Sequence, residues 1–420
     1  MIKVKEMPKD KGIDHTMDLL KEGYLFIGKR ADLYKTEVFE TRLMGKKMIC
    51  ITGEEGAKLF YNEELFERRN VMPMRVKETL TGKGGVQGLD GHAHSVRKSL
   101  FINLVNEDRQ KELIKIAADT WEETVKSWPS KDYVVLYEEA RKVLCKSAFK
   151  WTGVPYDLAD NQLDLAARCL GNMIFGFGRM GVVHWKGRVS RNAMEAYFMD
   201  IIGKVRDEQL KISTDSILYE ISNHRDEKGN ILDLQIAAVE ILNIIRPIVA
   251  IAVYITFTAL ALYENPEIKR KLVFGGKGDK ERFVEEVRRI YPFSPFVGAK
   301  VKCKFVWKNY EFNKGDLVLL DLYGINNDPK LWQEPHIFNP DRYKEKEKNL
   351  YNFMPQGGGD LKGHRCVGDA VTRNMMEVAL EVLVNKINYE LPAQDLKYSM
   401  SKIPTMPPSG FIIKSVTFQQ

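Results

Sequence analysis

Cysteine is sparse and unpatterned in this sequence. Five stand in 420 residues (Cys50, Cys145, Cys169, Cys303 and Cys366), an odd number with no CxxC pair and no disulfide-like spacing. That excludes a disulfide scaffold and points to a reducing compartment, the cytoplasm. The sequence also lacks a Ser/Pro tract, a low-complexity run or a repeat, so one continuous domain over residues 1–420 is expected. Met1 to Gly12 is polar and charged, without the apolar region of a secretory leader. The one long greasy stretch, 247–263, is slightly short for a bilayer span and reads as part of a buried helix, so no membrane span is expected. Charge has a sign but no pattern. The net charge is +7, yet lysines interleave with acids, as in Lys344-Glu345-Lys346-Glu347-Lys348, which is a solvated face and not a nucleic-acid surface.

What the chain does have is helical periodicity. Amphipathic patterns cover 107–128, 134–151, 158–177 and 191–211, with a loop rich in Gly, His and Trp expected at 178–187. Asp90-Gly91 opens a helix that carries His92, His94, Arg97 and Lys98. The pattern at 232–263 is the longest and is apolar on nearly every side, which places it at the centre of the fold. A charged helix at 280–291 stops at Pro292, and another helix is expected at 367–386. Strand patterns are short, at 46–52, 300–307, 317–322 and near the C-terminal end. The expected class is mainly α with a minor β part.

Three constellations carry chemistry. Cys366 ends the glycine-rich run Gly357-Gly358-Gly359-Asp360-Leu361-Lys362-Gly363-His364-Arg365 and opens a helix. Glycines let backbone approach a flat partner, and a sulfur at a helix start gains N–H donors, which suits a thiolate ligand to haem iron. In Glu286-Val287-Arg288-Arg289 the first and last residues share a helix face and can pair, and Pro340-Asp341-Arg342-Tyr343 brings a second arginine. His94 and Arg97, three apart, can grip two carboxylates together.

These elements, in this order, resemble the cytochrome P450 (haem-thiolate) superfamily. The resemblance implies a P450 fold, a long central helix over haem b, and Cys366 as the axial iron ligand. It also implies a clamp of Glu286, Arg289 and Arg342, and haem propionates held by His94 and Arg97, with His364 and Arg365 as further candidates. Ordinary members carry an acid–threonine pair midway along the central helix; here that place reads Arg246-Pro247. Proline cannot relay a proton, and an arginine in so apolar a helix is costly unless it meets an anion. The nearest acid in sequence, Glu240, lies nearly two turns back on another face, so the anion is expected from outside. A substrate carboxylate fits the planar guanidinium. Aromatic segments around Phe175, Phe177, Phe293 and Phe296 could line the rest of the pocket.

The Arg-Pro variant resembles the bacterial fatty-acid peroxygenase group. So do Gln87-Gly88-Leu89-Asp90-Gly91, His184-Trp185-Lys186-Gly187 and Asp321-Leu322-Tyr323-Gly324. The resemblance implies hydrogen peroxide as oxidant, no dedicated redox partner, and hydroxylation of medium or long fatty acids at the α or β carbon. Arg246, Pro247 and Gln87 would be the catalytic set. Glutamine at position 87 favours hydroxylation; histidine there favours decarboxylation to an alkene. Thr81 replaces a phenylalanine usual near the substrate chain. Val367 replaces a proline, which restores an N–H expected to reach the sulfur. The rivals are a reductase-dependent monooxygenase and a non-catalytic haem sensor or fatty-acid carrier.

Overall fold

The computed structural model describes residues 4–156 and 160–419. The central helix runs Leu234–Glu264 with Pro247 inside it, and nearly every side chain on it is buried. It packs on the helices Leu136–Thr152, Val182–Arg206 and Asp369–Glu381, which form the main core with it. Among the described residues it is the one helix long and apolar enough to cross a membrane, and its burial accounts for that composition.

Beta structure is minor, as expected. One five-stranded sheet has the order Val38–Leu43, Lys46–Ile51, Leu317–Asp321, Phe296–Val301, Phe66–Glu67. Its second and third strands pair in parallel, with Cys50 opposite Leu319. The last strand, Ile412–Phe418, joins Ile387–Glu390 and Tyr133–Val135 in a second sheet.

Most expected helices appear within a few residues of their predicted ends. The pattern predicted at 158–177 is the helix Asp160–Gly176, its first two residues lying outside the described ones. One boundary differs more. The loop expected at 178–187 ends at Gly181, which has a positive φ of 63°, and the next helix is Val182–Arg206. Gly187 sits inside that helix. A Cβ on it would come within 3.0 Å of the Gly176 Cα, so this glycine serves close helix crossing and not a turn.

Candidate active site

The Glu286 carboxylate, wholly buried on the helix Lys277–Ile290, collects the predicted clamp. Arg289 Nε and Nη2 donate to its two oxygens, both at 2.8 Å. Arg342 Nε and the Asn339 backbone N–H donate to Oε1, both at 3.0 Å. Arg289 Nη1 also donates to the Asn326 carbonyl at 2.8 Å, and Asn326 Oδ1 accepts the Met354 N–H at 2.7 Å. An unbroken chain of bonds therefore runs from the clamp to the start of the cysteine loop. All these charges are satisfied, which is what a buried ion pair needs to hold its place.

The loop's glycines approach protein. A Cβ on Gly358 would lie 2.1 Å from the Leu350 carbonyl, and one on Gly359 2.7 Å from the Tyr61 ring. The loop is thus shaped by Tyr61, whose hydroxyl accepts the Gly358 N–H at 3.0 Å. Cys366 is partly buried just before the helix Asp369–Glu381. Burial pushes its thiol pKa up; the Gly368 N–H, with Lys98 and Arg288, works the other way. The backbone N–H that acts on the sulfur is thus Gly368's, in place of the one expected from Val367. Sulfur held in such a place becomes a thiolate when a metal cation binds it.

The central helix supplies the opposite wall. Between residues 237 and 262 its most open side chains are Asn243 at 6%, Arg246 at 6%, Ala250 at 9% and the half-buried Pro247. These positions fall on one helical face, so that face borders an internal space. Proline has no N–H, which leaves the Asn243 carbonyl without its helical donor. Cys366 lies near enough to Arg246 for a negative charge on the sulfur to favour the cation. A sulfur at the end of a glycine-rich loop, an arginine without an acidic partner and the slightly open stripe that carries that arginine fit a haem and an acid bound above it.

Arg246 makes no hydrogen bond or salt bridge among the described residues, and its Nη1 is buried without a partner. Burial lowers its pKa to about 9; Arg191 adds to the fall, and Cys366 opposes it. Arg191 donates through Nε to Glu195 Oε1 and through Nη1 to the Leu80 carbonyl, each at 2.5 Å, and its buried Nη2 has no partner. Glu240 is not the missing partner. Arg97 Nη1 donates to it at 2.6 Å, the Val86 N–H at 2.9 Å and Asn243 Nδ2 at 3.0 Å. Asn243 Nδ2 also reaches the Thr81 carbonyl at 3.2 Å and Gln87 Oε1 at 3.4 Å. Thus Gln87 stands beside the Arg246 face, as expected. Asn243, one turn before Arg246, was not singled out from sequence, and Glu240, one turn before that, was weighed there only as a partner for Arg246.

The cation helix, Gly91–Leu104, differs from expectation. His94 stacks on His364 with ring centroids 4.1 Å apart, and His364 Nε2 lies 3.6 Å from Asp90. Burial depresses both histidines, to about 4 and about 2, so each is neutral and offers a hydrogen bond instead of a charge. Arg97 is committed to Glu240 through Nη1, and its buried Nε has no partner. Arg365 turns to Asp369 at 3.4 Å. Lys98, given no role from sequence, is buried, and its Nζ donates to the Arg365 carbonyl. Of the aromatics, Phe293 stacks on Tyr254 of the central helix at 4.3 Å. Phe175 packs edge-on against Tyr137, and Phe177 is half-buried just past the helix end. Phe296, expected in the pocket, is partly buried and packs on the cluster of Phe26, Phe39 and Cys50 beside the sheet. Its strand position sends it there. Thr81 Oγ1 meets Met72 Sδ at 3.0 Å.

Comparison with known proteins agrees with this geometry. The cytochrome P450 family model matches residues 281–415. Among curated proteins, cytochrome P450 1A1 of Chelon auratus is 31% identical over 143 residues, 32% of this chain and 27% of that protein. Farnesoate epoxidase of Bombyx mori is 24% identical over 255 residues, 53% of this chain and 48% of that protein. The matches thus span about a quarter to a half of these curated relatives' length. Solved structures match throughout. Cytochrome P450EX alpha (CYP152N1) with myristic acid is 38% identical at a TM-score of 0.94, covering 99% of this chain and 100% of that one. Cytochrome P450SP alpha (CYP152B1) in complex with (R)-ibuprophen is 37% identical at 0.94, covering 97% and 99%. A variant of cytochrome P450 OleT in complex with arachidonic acid is 31% identical at 0.94, covering 99% of both chains. On this evidence the chain belongs to the cytochrome P450 family, whose members carry haem on a cysteine thiolate.

Proposed function

We propose that this protein uses hydrogen peroxide to hydroxylate fatty acids at the carbon α or β to the carboxylate, as one unit built around a single haem b on Cys366. The observation that carries the reading is Arg246, a buried guanidinium without an acidic partner on the face opposite the cysteine. The ligands named with the three solved relatives (myristic acid, arachidonic acid and (R)-ibuprophen) are all carboxylic acids, which is the class of anion Arg246 lacks.

Haem on a thiolate supplies the activation of peroxide and the power to oxidise a C–H bond. The chain's residues do the rest. Arg246 takes the carboxylate in its planar fork and so fixes which carbons face the reaction centre. The bound carboxylate stands where an acid residue is missing and moves protons on and off the peroxide. Gln87 and Asn243 form a polar rim beside it, and Asn243 ties the segment 80–87 to the central helix through Gln87 Oε1 and the Thr81 carbonyl. Lys98 and the free Nε of Arg97 are the cations for the acidic edge of the haem, with His94 and His364 as neutral donors. Glu286, Arg289 and Arg342 keep the cysteine loop in place.

The test is to incubate purified holoprotein with a saturated fatty acid and hydrogen peroxide, without NAD(P)H or an electron-transfer protein, and identify products by mass spectrometry. A hydroxy acid is expected. Product only when a reductase system is supplied, or none with any oxidant, contradicts the proposal.

A further inference from the structure

The helix Val182–Arg206 changes character along its length. Its inner face is ordinary, with Arg191, Met194, Phe198 and Ile202 buried. Beyond residue 190 its exposed positions are Asn192, Ala193, Ala196, Asp200 and Lys204, which are polar or small. In the first two turns the outer face is inverted. Val182 is 67% exposed, Trp185 61% and Val189 47%. These three recur at helical spacing, so they form one outward apolar stripe and not scattered single residues. Met180, just before the helix, and Met74, next to the Arg75 side chain that donates to the Arg179 carbonyl, extend the patch.

Basic residues outnumber acids around the stripe. Residues 177–191 contain Arg179, Lys186, Arg188 and Arg191 and no aspartate or glutamate. Lys186 and Arg188 are exposed on the same two turns, and Lys83 is exposed on the neighbouring segment. One acid, Glu78, pairs with Arg188 at 3.4 Å, which leaves Lys186, Lys83 and Arg179 as charges without an acidic partner among the described residues. An outward stripe of valine and tryptophan edged by lysine and arginine is the pattern that lies on an anionic bilayer. Charge complementarity selects that occupant over a neutral apolar partner.

The patch also lies over the site. Arg191, one turn inward from Arg188, donates to the Leu80 carbonyl of the segment 80–87, whose Thr81 and Gln87 bond Asn243. We infer that this protein docks peripherally on anionic lipid through the Val182–Val189 stripe and draws its apolar substrate from that surface. The inference rests on the fatty-acid reading only for the identity of what is drawn. Docking itself is independent of it.

The test uses holoprotein and sucrose-loaded vesicles of phosphatidylcholine alone or mixed with phosphatidylglycerol, without peroxide. Sedimentation with the mixed vesicles is expected, weakened by salt. Val182→Glu with Trp185→Ser should cut bound protein at least tenfold, and Lys186→Glu roughly fivefold. Both changes are on exposed positions, and turnover of a short, freely soluble acid should match the parent's, which separates docking from the reaction. Failure of the parent to sediment, equal binding by the double variant, or a lipid-free dimer that the double variant dissolves would each overturn the inference.

Discussion

Arg289 and Arg246 are both arginines inside this protein, and their surroundings treat them in opposite ways. Arg289, below the cysteine loop, spends its donors on Glu286 and the Asn326 carbonyl, and Arg342 reinforces the same carboxylate. Arg246, on the other side of the sulfur, has no partner among the described residues. A fully paired buried charge is architecture. An unpaired one is unfavourable in the resting protein and waits for a ligand to complete it. On the proposed function, the difference separates the half of the molecule that holds the cysteine from the half that receives substrate.

Substituting each arginine should break the comparison in opposite directions. Arg246→Ala should lower peroxide-driven fatty-acid turnover by at least about a hundredfold, since a charged hydrogen-bond pair and the positioning it gives are both lost. Haem content should survive, and urea unfolding should show stability equal to the parent's or higher, because an unpaired buried cation is removed. Arg289→Ala should instead cost about 3–5 kcal/mol in the same unfolding experiment and reduce haem content, since Glu286 is left buried and underpaired. Equal stability losses for both would erase the distinction.

A pH titration sharpens the contrast. The Arg246 pKa is lowered to about 9 in the free protein. The cation is the form that binds carboxylate, and it is lost as pH rises through that value. Fatty-acid affinity should therefore stay flat from neutral pH to about 8 and fall above 9 by up to about tenfold per pH unit. Isothermal calorimetry across that range reads it, and an affinity still flat at pH 10 would contradict it. Smaller effects belong to the rim. Asn243→Ala removes bonds to Glu240 and Thr81 and should raise KM by roughly fivefold to tenfold with haem content unchanged. Gln87→His should shift products toward the terminal alkene, measured by gas chromatography of the headspace.

Much of this was legible in the sequence because it rests on local order. The central helix shows in its unbroken apolar run, and the clamp in the spacing of Glu286 and Arg289 with the later Arg342. Arg246 stood out because an arginine in such a run needs an explanation. What could not be read depends on contacts distant in sequence. Arg97 meets Glu240, and His94 stacks on His364, only after the helix Gly91–Leu104 folds beside the cysteine loop. Phe296 opens the strand Phe296–Val301 and packs on the cluster of Phe26, Phe39 and Cys50, a contact set by sheet pairing and not by its nearness to Phe293 in sequence. Gly187 looked like a turn because glycine breaks helices in isolation. Its use as a contact with Gly176 is invisible until two helices cross.

The most direct test of the account compares the dissociation constants of a saturated fatty acid and its matching primary alcohol, for the parent and Arg246→Ala. The account predicts that the parent prefers the acid by about tenfold to a hundredfold and that the variant shows no preference. A variant that still binds the acid more tightly than the alcohol by the parent's margin would show that the carboxylate is held elsewhere.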